Sequence, residues 1–462
     1  MTLAAALLTA GACKKETESL VVVSLTASPA DSSLGSVSLA VAGVTETFTL
    51  PAGLSDTSAT TFGVYLPASA VGSYTVRAVA SGGTACYLGT SAVPVHVTTG
   101  ATVTTSVLLT PGTDCSVDAG GGGPPGAPPS LARCTEYVHN SDPSAACVTG
   151  NPNTDVEITD VAFSPDGKLV YTAGTDSRVK VWTWDGSNRN LAAEGHELDT
   201  SGGFTSLAVS GDNSLVAAGA QNGRLTVWNV GGTWSIAANL MGITADVNGV
   251  AFAPDGKVVY SVDTDSILNI YNQTSLSPVS HVTLRTTATP FTLSASPAAS
   301  DGSYWLAIGY DDGDASLLAI DPAGFTGYEI PFTVSTHVSG IYTARFAPNG
   351  SMLEAGAVDG TFGIWTVPLP SSGAPRAPQI AVGTDSVFGG AFDPTSTYVA
   401  ITGGLSVGTR KIGIWTVATG TPRATVPTTL YNQRPTAAVF SPNGAALVVG
   451  EHNCGKLLVC AD

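Results

Sequence analysis

The chain has few charged residues, and its charge is mostly of one sign. Only 11% of its 462 residues are charged, and 18 Lys and Arg are set against 35 Asp and Glu, giving a formal net charge of −17. A protein this acidic is repelled by phosphate backbones, so we expect no nucleic-acid partner, whereas basic or neutral partners remain open. No apolar stretch approaches the ~20 residues that a membrane-spanning helix requires.

Residues that carry catalysis are also scarce. The chain has only six His. It contains no zinc-type spacing of Cys or His, no phosphate-binding loop and no nucleophile elbow. Ser, His and Asp occur, but no motif brings them together. We therefore predict no catalytic residues, no metal site and no cofactor.

Short runs rich in Val and Thr, separated by turn-forming residues, make up residues 20–112. Runs such as LVVVSLTA and GSYTVRAVA alternate with a period of two, which predicts an antiparallel β-sandwich. GSYTVRAVA resembles a strand of immunoglobulin-like bacterial modules. Residues 113–132 include VDAGGGGPPGAPPS, which cannot bury apolar surface, so they are predicted to be an extended linker between two domains.

The first 19 residues have the pattern of a targeting signal. The stretch MTLAAALLTAGACKKE is an apolar run followed by small residues, Cys13 and a charged stretch. The segment Ala10-Gly11-Ala12-Cys13 resembles the lipobox of bacterial lipoproteins. The resemblance implies that Cys13 is diacylated and anchors the protein in the bacterial cell envelope, in the outer membrane rather than the inner. The alternative is a plain secretory signal with an incidental Cys.

Residues 133–462 repeat one pattern. AFSPDGK (162–168) returns as AVSGDNS (208–214), AFAPDGK (251–257), RFAPNGS (345–351), AFDPTST (391–397) and VFSPNGA (439–445), with a fainter copy, SASPAASDG, at 294–302. Each copy leads to a second strand, a tight turn and a third strand. The interval from Trp182 to Trp228 is 46 residues, the length of a four-stranded blade. The seven copies predict a seven-bladed β-propeller.

Two of these segments, VAAGAQNGRLTVW (216–228) and LEAGAVDGTFGIW (353–365), resemble the WD-repeat family nearly position for position. In that family a His, a Ser or Thr, an Asp and a Trp form a buried hydrogen-bond network that rigidifies each blade. The resemblance assigns network roles to His196, Asn222, Trp228, His337, Asp359 and Trp365. Most blades lack part of the set, and lactonase-like bacterial propellers share the SPDG signature.

The last repeat ends on its third strand, which leaves its sheet one strand short. The unassigned segment RCTEYVHN (133–140) is predicted to close the ring as the outer strand of the last blade. This closure brings Cys134 beside Cys460 and Cys147 beside Cys454, so we expect both disulfides, with Cys86–Cys115 in the first domain. The alternative is a local Cys134–Cys147 loop.

Acidic residues cluster at two neighbouring turns of the predicted propeller, where they are expected to share one face. A cation or a basic peptide is one possible ligand for them, and ordinary solvated turn carboxylates are the simpler interpretation. The residues are Asp263, Asp265, Asp311, Asp312 and Asp314.

The predicted function is that of a lipid-anchored, monomeric scaffold, not an enzyme, that binds a protein or peptide partner through a loop face of the propeller. Two alternatives remain open, a lactonase-like propeller hydrolase and a purely structural envelope protein. His, Glu or Arg residues converging at one channel mouth would favour the hydrolase. A channel lined by Ser, Thr, Ala and Val would favour the scaffold.

Overall fold

The computed structural model describes residues 19–111 and 128–461 apart from gaps, the longest of which are 140–155, 322–328, 333–338 and 370–379. All regular structure in this described part is β-strand, as the all-β class predicts. No helix in it is long and apolar enough to cross a membrane. The chain divides into two compact units, Met1–Pro125 and Gly126–Asp462, and the division falls within the segment predicted to be a linker.

Unit 1 forms from short strands whose apolar residues alternate with polar ones. In β1 every second residue is buried, which places Val21, Val23 and Leu25 in a single core. The described strands are β1 (Ser19–Ala27), β2 (Ser36–Val41), β3 (Val44–Thr49), β4 (Thr60–Leu66), β5 (Gly72–Tyr74), β6 (Arg77–Gly82), β7 (Ala85–Thr90), β8 (Val95–Val97) and β9 (Thr102–Pro111).

Strand β9 joins two groups of strands in unit 1. The sheet order is β3-β2-β6-β7-β9-β1-β4, with β5 and β8 as a separate pair. Strand β9 runs parallel to β1 through Leu109 and then pairs antiparallel with β7 at Thr110 and Pro111. Strand β9 thus connects the strands β3, β2, β6 and β7 on one side to β1 and β4 on the other.

Unit 2 consists of small antiparallel sheets built from the predicted repeats. Its described strands are β10 (Cys134–Val138), β11 (Ile158–Phe163), β12 (Leu169–Gly174), β13 (Arg178–Asp185), β14 (Asn190–Asp199), β15 (Phe204–Val209), β16 (Leu215–Ala220), β17 (Leu225–Asn229), β18 (Ser235–Leu240), β19 (Val247–Phe252), β20 (Val258–Asp263), β21 (Ile267–Asn272), β22 (Pro278–Thr283), β23 (Pro290–Ala295), β24 (Tyr304–Tyr310), β25 (Ala315–Ile320), β26 (Glu329–Phe332), β27 (Ile341–Phe346), β28 (Met352–Ala357), β29 (Phe362–Thr366), β30 (Val387–Phe392), β31 (Tyr398–Gly403), β32 (Lys411–Thr416), β33 (Pro422–Thr425), β34 (Pro435–Phe440), β35 (Ala446–Glu451) and β36 (Lys456–Ala461).

The strands of unit 2 associate in sequence order. Among the described residues, the sheets are β11–β14, β15–β18, β19–β22, β23–β26, β27–β29, β30–β33 and β34–β36 with β10. We call the first strand of each sheet its inner strand, because it contacts the first strand of the following sheet. The last inner strand, β34, contacts β11, the first. This is a propeller-like arrangement.

The repeated SPDG-type segment forms the turn from inner strand to second strand. Ser164 Oγ donates to Asp166 Oδ1 at 2.7 Å and accepts from Leu169 N at 2.8 Å. Gly167 adopts a φ of 71°, a conformation that favours glycine. The same bonds recur at Ser210 and Ser441, so the turn chemistry fixes where each second strand begins.

Strand β10 lies far in sequence from the strand that it pairs with. It runs antiparallel to β36, with Cys134 opposite Cys460 and Val138 opposite Lys456. A disulfide joins Cys134 to Cys460, with an S–S distance of 2.04 Å and a Cα–Cα distance of 4.1 Å. Lys456 Nζ adds an ion pair with Glu136 Oε1 at 2.6 Å.

The disulfide is one of the bonds expected from the sequence, and it excludes the local Cys134–Cys147 loop. Cys147, Cys454 and Cys115, the side chain of Cys86, and the lipobox residue Cys13 all lie outside the described residues.

Candidate functional site

A buried hydrogen-bond network joins β10 to the first sheet of unit 2. His139 Nδ1 lies 2.7 Å from Thr172 Oγ1, which accepts a hydrogen bond from Trp182 Nε1 at 3.0 Å. The other ring nitrogen of His139 lies 3.3 Å from Asp176 Oδ1. The His139 side chain is fully buried, so these bonds fix the residue that follows β10 against strands β12 and β13.

The second residue of three of the seven inner strands bonds the next sheet. Asn248 Nδ2 donates to Pro290 O at 2.8 Å, and the hydroxyls of Thr205 and Thr436 donate to the first residue of the next inner strand. Thr436 thereby bonds Ile158 across the contact between β34 and β11. Polar side chains at this position thus connect neighbouring sheets.

Three consecutive inner strands carry an aromatic residue at this same position. These residues are Phe291, Tyr342 and Phe388, and we call them the aromatic arc. The ring centroids of Phe291 and Tyr342 are 5.1 Å apart, and those of Tyr342 and Phe388 are 5.5 Å apart, both edge to face. Tyr342 is 45% exposed, one of the few large apolar side chains in the described part that face solvent.

A cation extends the aromatic arc at one end. The Arg434 guanidinium lies 4.7 Å from the ring centroid of Phe388, and its Nη2 bonds Glu157 Oε1 at 2.9 Å. His452 Nε2 lies 3.4 Å from the other oxygen of Glu157. At this end of the aromatic arc, the positive charge of Arg434 is therefore paired with the negative charge of Glu157.

An ion pair spans the region between the inner strands, which we call the axial channel. Arg345 on β27 donates from Nη2 to Asp160 Oδ1 on β11 at 2.9 Å, although these two strands are not neighbours. Asp160 also accepts bonds from Val161 N at 2.9 Å and Leu207 N at 3.0 Å. Arg345 is the fifth residue of its strand, and at that position the other inner strands carry Ala162, Ala208, Ala251, Ser294, Ala391 and Val439.

Buried carboxyl groups lie beside the inner strands in two places. Glu354 is fully buried, accepts a hydrogen bond from Thr343 Oγ1 at 2.7 Å, and has a pKa raised to about 7 by burial. Glu451, at the end of β35, is 1% exposed. Burial, and then repulsion from Glu136, raises its pKa to about 7.

Comparison with known proteins identifies the repeat. Three consecutive segments, residues 145–183, 189–229 and 234–272, match the WD domain, G-beta repeat family. The chain contains WD repeats. The resemblance predicted from the sequence is thus confirmed, and the fold is the propeller-like fold of such repeats.

Several curated proteins are similar in sequence to this chain. Protein HIR1 of Kluyveromyces lactis is 21% identical over 337 residues, covering 63% of this chain and 37% of the relative. SIR4-interacting protein SIF2 of Saccharomyces cerevisiae is 25% identical over 171 residues, covering 36% of this chain and 31% of the relative. The Periodic tryptophan protein 2 homolog of Schizosaccharomyces pombe is 30% identical over 128 residues, covering 26% and 14%. The chain thus covers at most 37% of the length of any of these three relatives.

Of the residues predicted to form WD networks, the two tryptophans lie in the core, and the Asn and one Asp lie in turns. Trp228 and Trp365 are buried, with Trp228 edge to face on Phe204. Asn222 and Asp359 accept backbone bonds within their turns, at 3.2 Å from Arg224 N and 2.9 Å from Thr361 N.

Of the two predicted network histidines, the structure describes only His196. His196 lies on the outer strand β14, where its ring stacks on Trp234 at 4.5 Å, a different contact from the one expected. His337 lies outside the described residues. Sequence reasoning missed His139, because YVHN was assigned only to the closing strand. A His placed shortly before the first WD repeat was the available signal.

The two acidic turns occupy the same position in successive sheets, after the second strand, and backbone N–H groups bond carboxylates in both of them. Asp263 accepts bonds from Asp265 N and Ile267 N, both at 3.1 Å, and burial raises its pKa. Asp311 accepts from Thr289 N at 2.9 Å.

Arg285 offsets part of the negative charge of this acidic cluster. Its guanidinium contacts both Asp312 and Asp314, the latter at 2.8 Å, and lies over the Tyr310 ring. No group of three or more His, Cys, Asp or Glu suited to a metal ion occurs among the residues described. The bonds that these carboxylates accept from backbone N–H groups are those of ordinary turn carboxylates.

Proposed function

We propose that this protein is a scaffold that binds a peptide segment of a partner protein at the aromatic arc. The observation that carries the proposal is a change from polar to aromatic residues at the second position of the inner strands. Three of the seven inner strands use a polar side chain at this position to bond the next sheet, whereas three consecutive strands present Phe291, Tyr342 and Phe388. Phe has no hydrogen-bonding group, so these positions give up such a bond and Tyr342 exposes its ring.

Exposed aromatic clusters are the usual anchors of protein interfaces, because a ring buries a large area at a low cost in conformational entropy. The name of one relative, SIR4-interacting protein, describes a protein that binds another protein. The partner of that relative does not transfer to a protein that covers only 31% of it. The net charge of −17 favours a partner that is basic or neutral overall.

We propose further that unit 2 is a closed ring of seven blades, with β10 completing the last blade. Three interactions support the closure: the pairing of β10 with β36, the Cys134–Cys460 disulfide and the bond from Thr436 to Ile158. For unit 1 we propose an immunoglobulin-like sandwich, supported by a strand β9 that pairs with strands of both groups.

We also propose that Cys13 carries a lipid and anchors the protein in a bacterial cell envelope, outside the cytoplasm. The support is the lipobox-like sequence alone. In this proposal the propeller-like unit acts as a monomer, without catalysis, and presents the aromatic arc to partners in the same compartment.

Site-specific photo-crosslinking tests the scaffold proposal. A photoreactive amino acid replaces Tyr342 in the full-length protein, or replaces Ile236 on the outer strand β18 as the control, because Ile236 is similarly exposed at 50%. We expect a protein adduct from position 342 and none from 236. Unlabelled wild type should compete for the adduct, and the Phe388→Ala variant should compete poorly.

Two results contradict the proposal. One is the same adducts from both positions. The other is competition by Phe388→Ala that equals competition by wild type, since the arc would then contribute nothing to partner binding.

A further inference from the structure

Arg345 has unused hydrogen-bonding capacity inside the axial channel. A guanidinium carries five N–H donors. Within the described residues, the Arg345 side chain uses one nitrogen, Nη2, in its bond to Asp160 Oδ1 at 2.9 Å. Its side chain is 36% exposed although Arg345 lies on an inner strand. Solvent therefore reaches the guanidinium within the channel.

Asp160 does not share this free capacity. It accepts bonds from Val161 N and Leu207 N as well as from Arg345, and its side chain is only 11% exposed. Two backbone amides would hold the Asp160 carboxylate in place without the arginine. The ion pair is thus asymmetric, with its acid satisfied and its cation open to a further acceptor.

The corresponding positions of the other inner strands carry no side chain as long as that of Arg345. The fifth residue of four of them is Ala, and Ala251 and Ala391 are buried. Tyr342 of the aromatic arc precedes Arg345 by three residues on β27, which is ~10 Å along a strand. A bulge between Ile341 and Thr343 shifts the register in which β27 pairs with β28.

We propose that Arg345 binds a carboxylate of a ligand that contacts the aromatic arc with an apolar group. A carboxylate matches the fork of N–H donors on a guanidinium and can accept two of its hydrogen bonds. Either an acidic side chain or the C-terminus of a polypeptide can supply the carboxylate. The inference rests on the proposed function for the apolar contact, but the carboxylate contact has a separate test.

Small acids and their amides provide the probes. N-acetyl-L-phenylalanine carries an aromatic ring and a terminal carboxylate, and its amide lacks only the charge. N-acetyl-aspartyl-phenylalaninamide and its asparaginyl counterpart place the carboxylate on a side chain instead. Calorimetric titration of the full-length protein measures each dissociation constant.

The matched variants are Arg345→Gln and, as a control, Arg423→Gln, which removes an arginine on the outer strand β33. We expect wild type and Arg423→Gln to bind at least one acid about tenfold or more tightly than its amide, since hydrogen bonds to charged groups are the stronger ones. In Arg345→Gln that preference should fall to about one. Circular dichroism and the melting temperature check that the variant is folded.

Three results overturn the inference: no saturable binding of either acid, equal binding of acids and amides by wild type, or an unchanged preference in Arg345→Gln. Which acid is preferred distinguishes a terminal carboxylate from a side-chain one. The crosslinking result is independent of these. An acid preference that depends on Arg345 stands even if position 342 yields no partner, and a partner at position 342 stands without any acid preference.

Discussion

Replacing Glu354 with Gln perturbs a carboxyl group that the fold buries completely. Thr343 Oγ1 donates to Glu354 Oε1 at 2.7 Å, and Oε2 has no hydrogen-bond partner among the described residues. Gly390 leaves the space for this group, since a Cβ at residue 390 would lie 2.4 Å from Oε2. Gln has the same shape and keeps an oxygen for Thr343, but it carries no charge.

The direction in which Glu354 changes the stability of the protein with pH follows from the pKa of its carboxyl group. Burial raises the pKa of Glu354 from 4.5 to about 7 in the folded protein. Between these pH values the folded state holds a proton that the unfolded state releases. The stability contributed is therefore fully present below pH 4.5 and is lost as pH rises to about 7. A shift of this size corresponds to about 3 kcal/mol, at 1.36 kcal/mol per pKa unit.

We therefore expect Glu354→Gln to match wild type near pH 4.5 and to exceed it by about 3 kcal/mol in free energy of unfolding at pH 8. Urea denaturation followed by tryptophan fluorescence measures this in unit 2 alone, because every Trp lies in that unit. Glu194→Gln on the exposed face of β14 is the control and should change little. A stability difference between Glu354→Gln and wild type that is equal at both pH values refutes the reasoning.

Three further outcomes are expected. Reducing the Cys134–Cys460 disulfide, whose partners are 326 residues apart, should lower the melting temperature of unit 2; the loop-entropy estimate is about 5–6 kcal/mol, and an unchanged melting temperature after verified reduction counts against it. Thr172→Val should destabilise unit 2 by about 1–3 kcal/mol in urea denaturation, because His139 and Trp182 lose their shared partner, and a loss below about 0.5 kcal/mol argues against the network. Cys13→Ser should move the protein from the membrane fraction to the soluble one, and retention in the membrane with no palmitate labelling of wild type contradicts lipidation.

The parts of the fold that depend on local chemistry could be predicted from the sequence. The SPDG-type turns bond within a few residues, so the repeats, the strand order within each sheet and the all-β class follow from short segments. The missing outer strand of the last sheet also predicted the position of β10, because a sheet edge needs a partner.

Features that depend on distant strands could not be predicted in the same way. Phe291, Tyr342 and Phe388 each lie in an ordinary apolar strand segment, and only the order of the inner strands makes them neighbours. Arg345 and Asp160 are 185 residues apart and meet only across the axial channel. His139 was assigned to a strand, but its role depends on the turn and strands that β10 lies against.

The affinity of the crosslinked partner for arc variants tests the central claim most directly. With the partner identified from the adduct at position 342, its dissociation constant is measured for wild type, Tyr342→Ala, Phe388→Ala and the control Ile236→Ala, each checked for an unchanged melting temperature. Binding at the arc predicts about 30-fold weaker affinity for each arc variant, as for an aromatic anchor worth about 2 kcal/mol, and no more than about a twofold change for Ile236→Ala. Equal affinity in all four proteins would contradict binding at the aromatic arc.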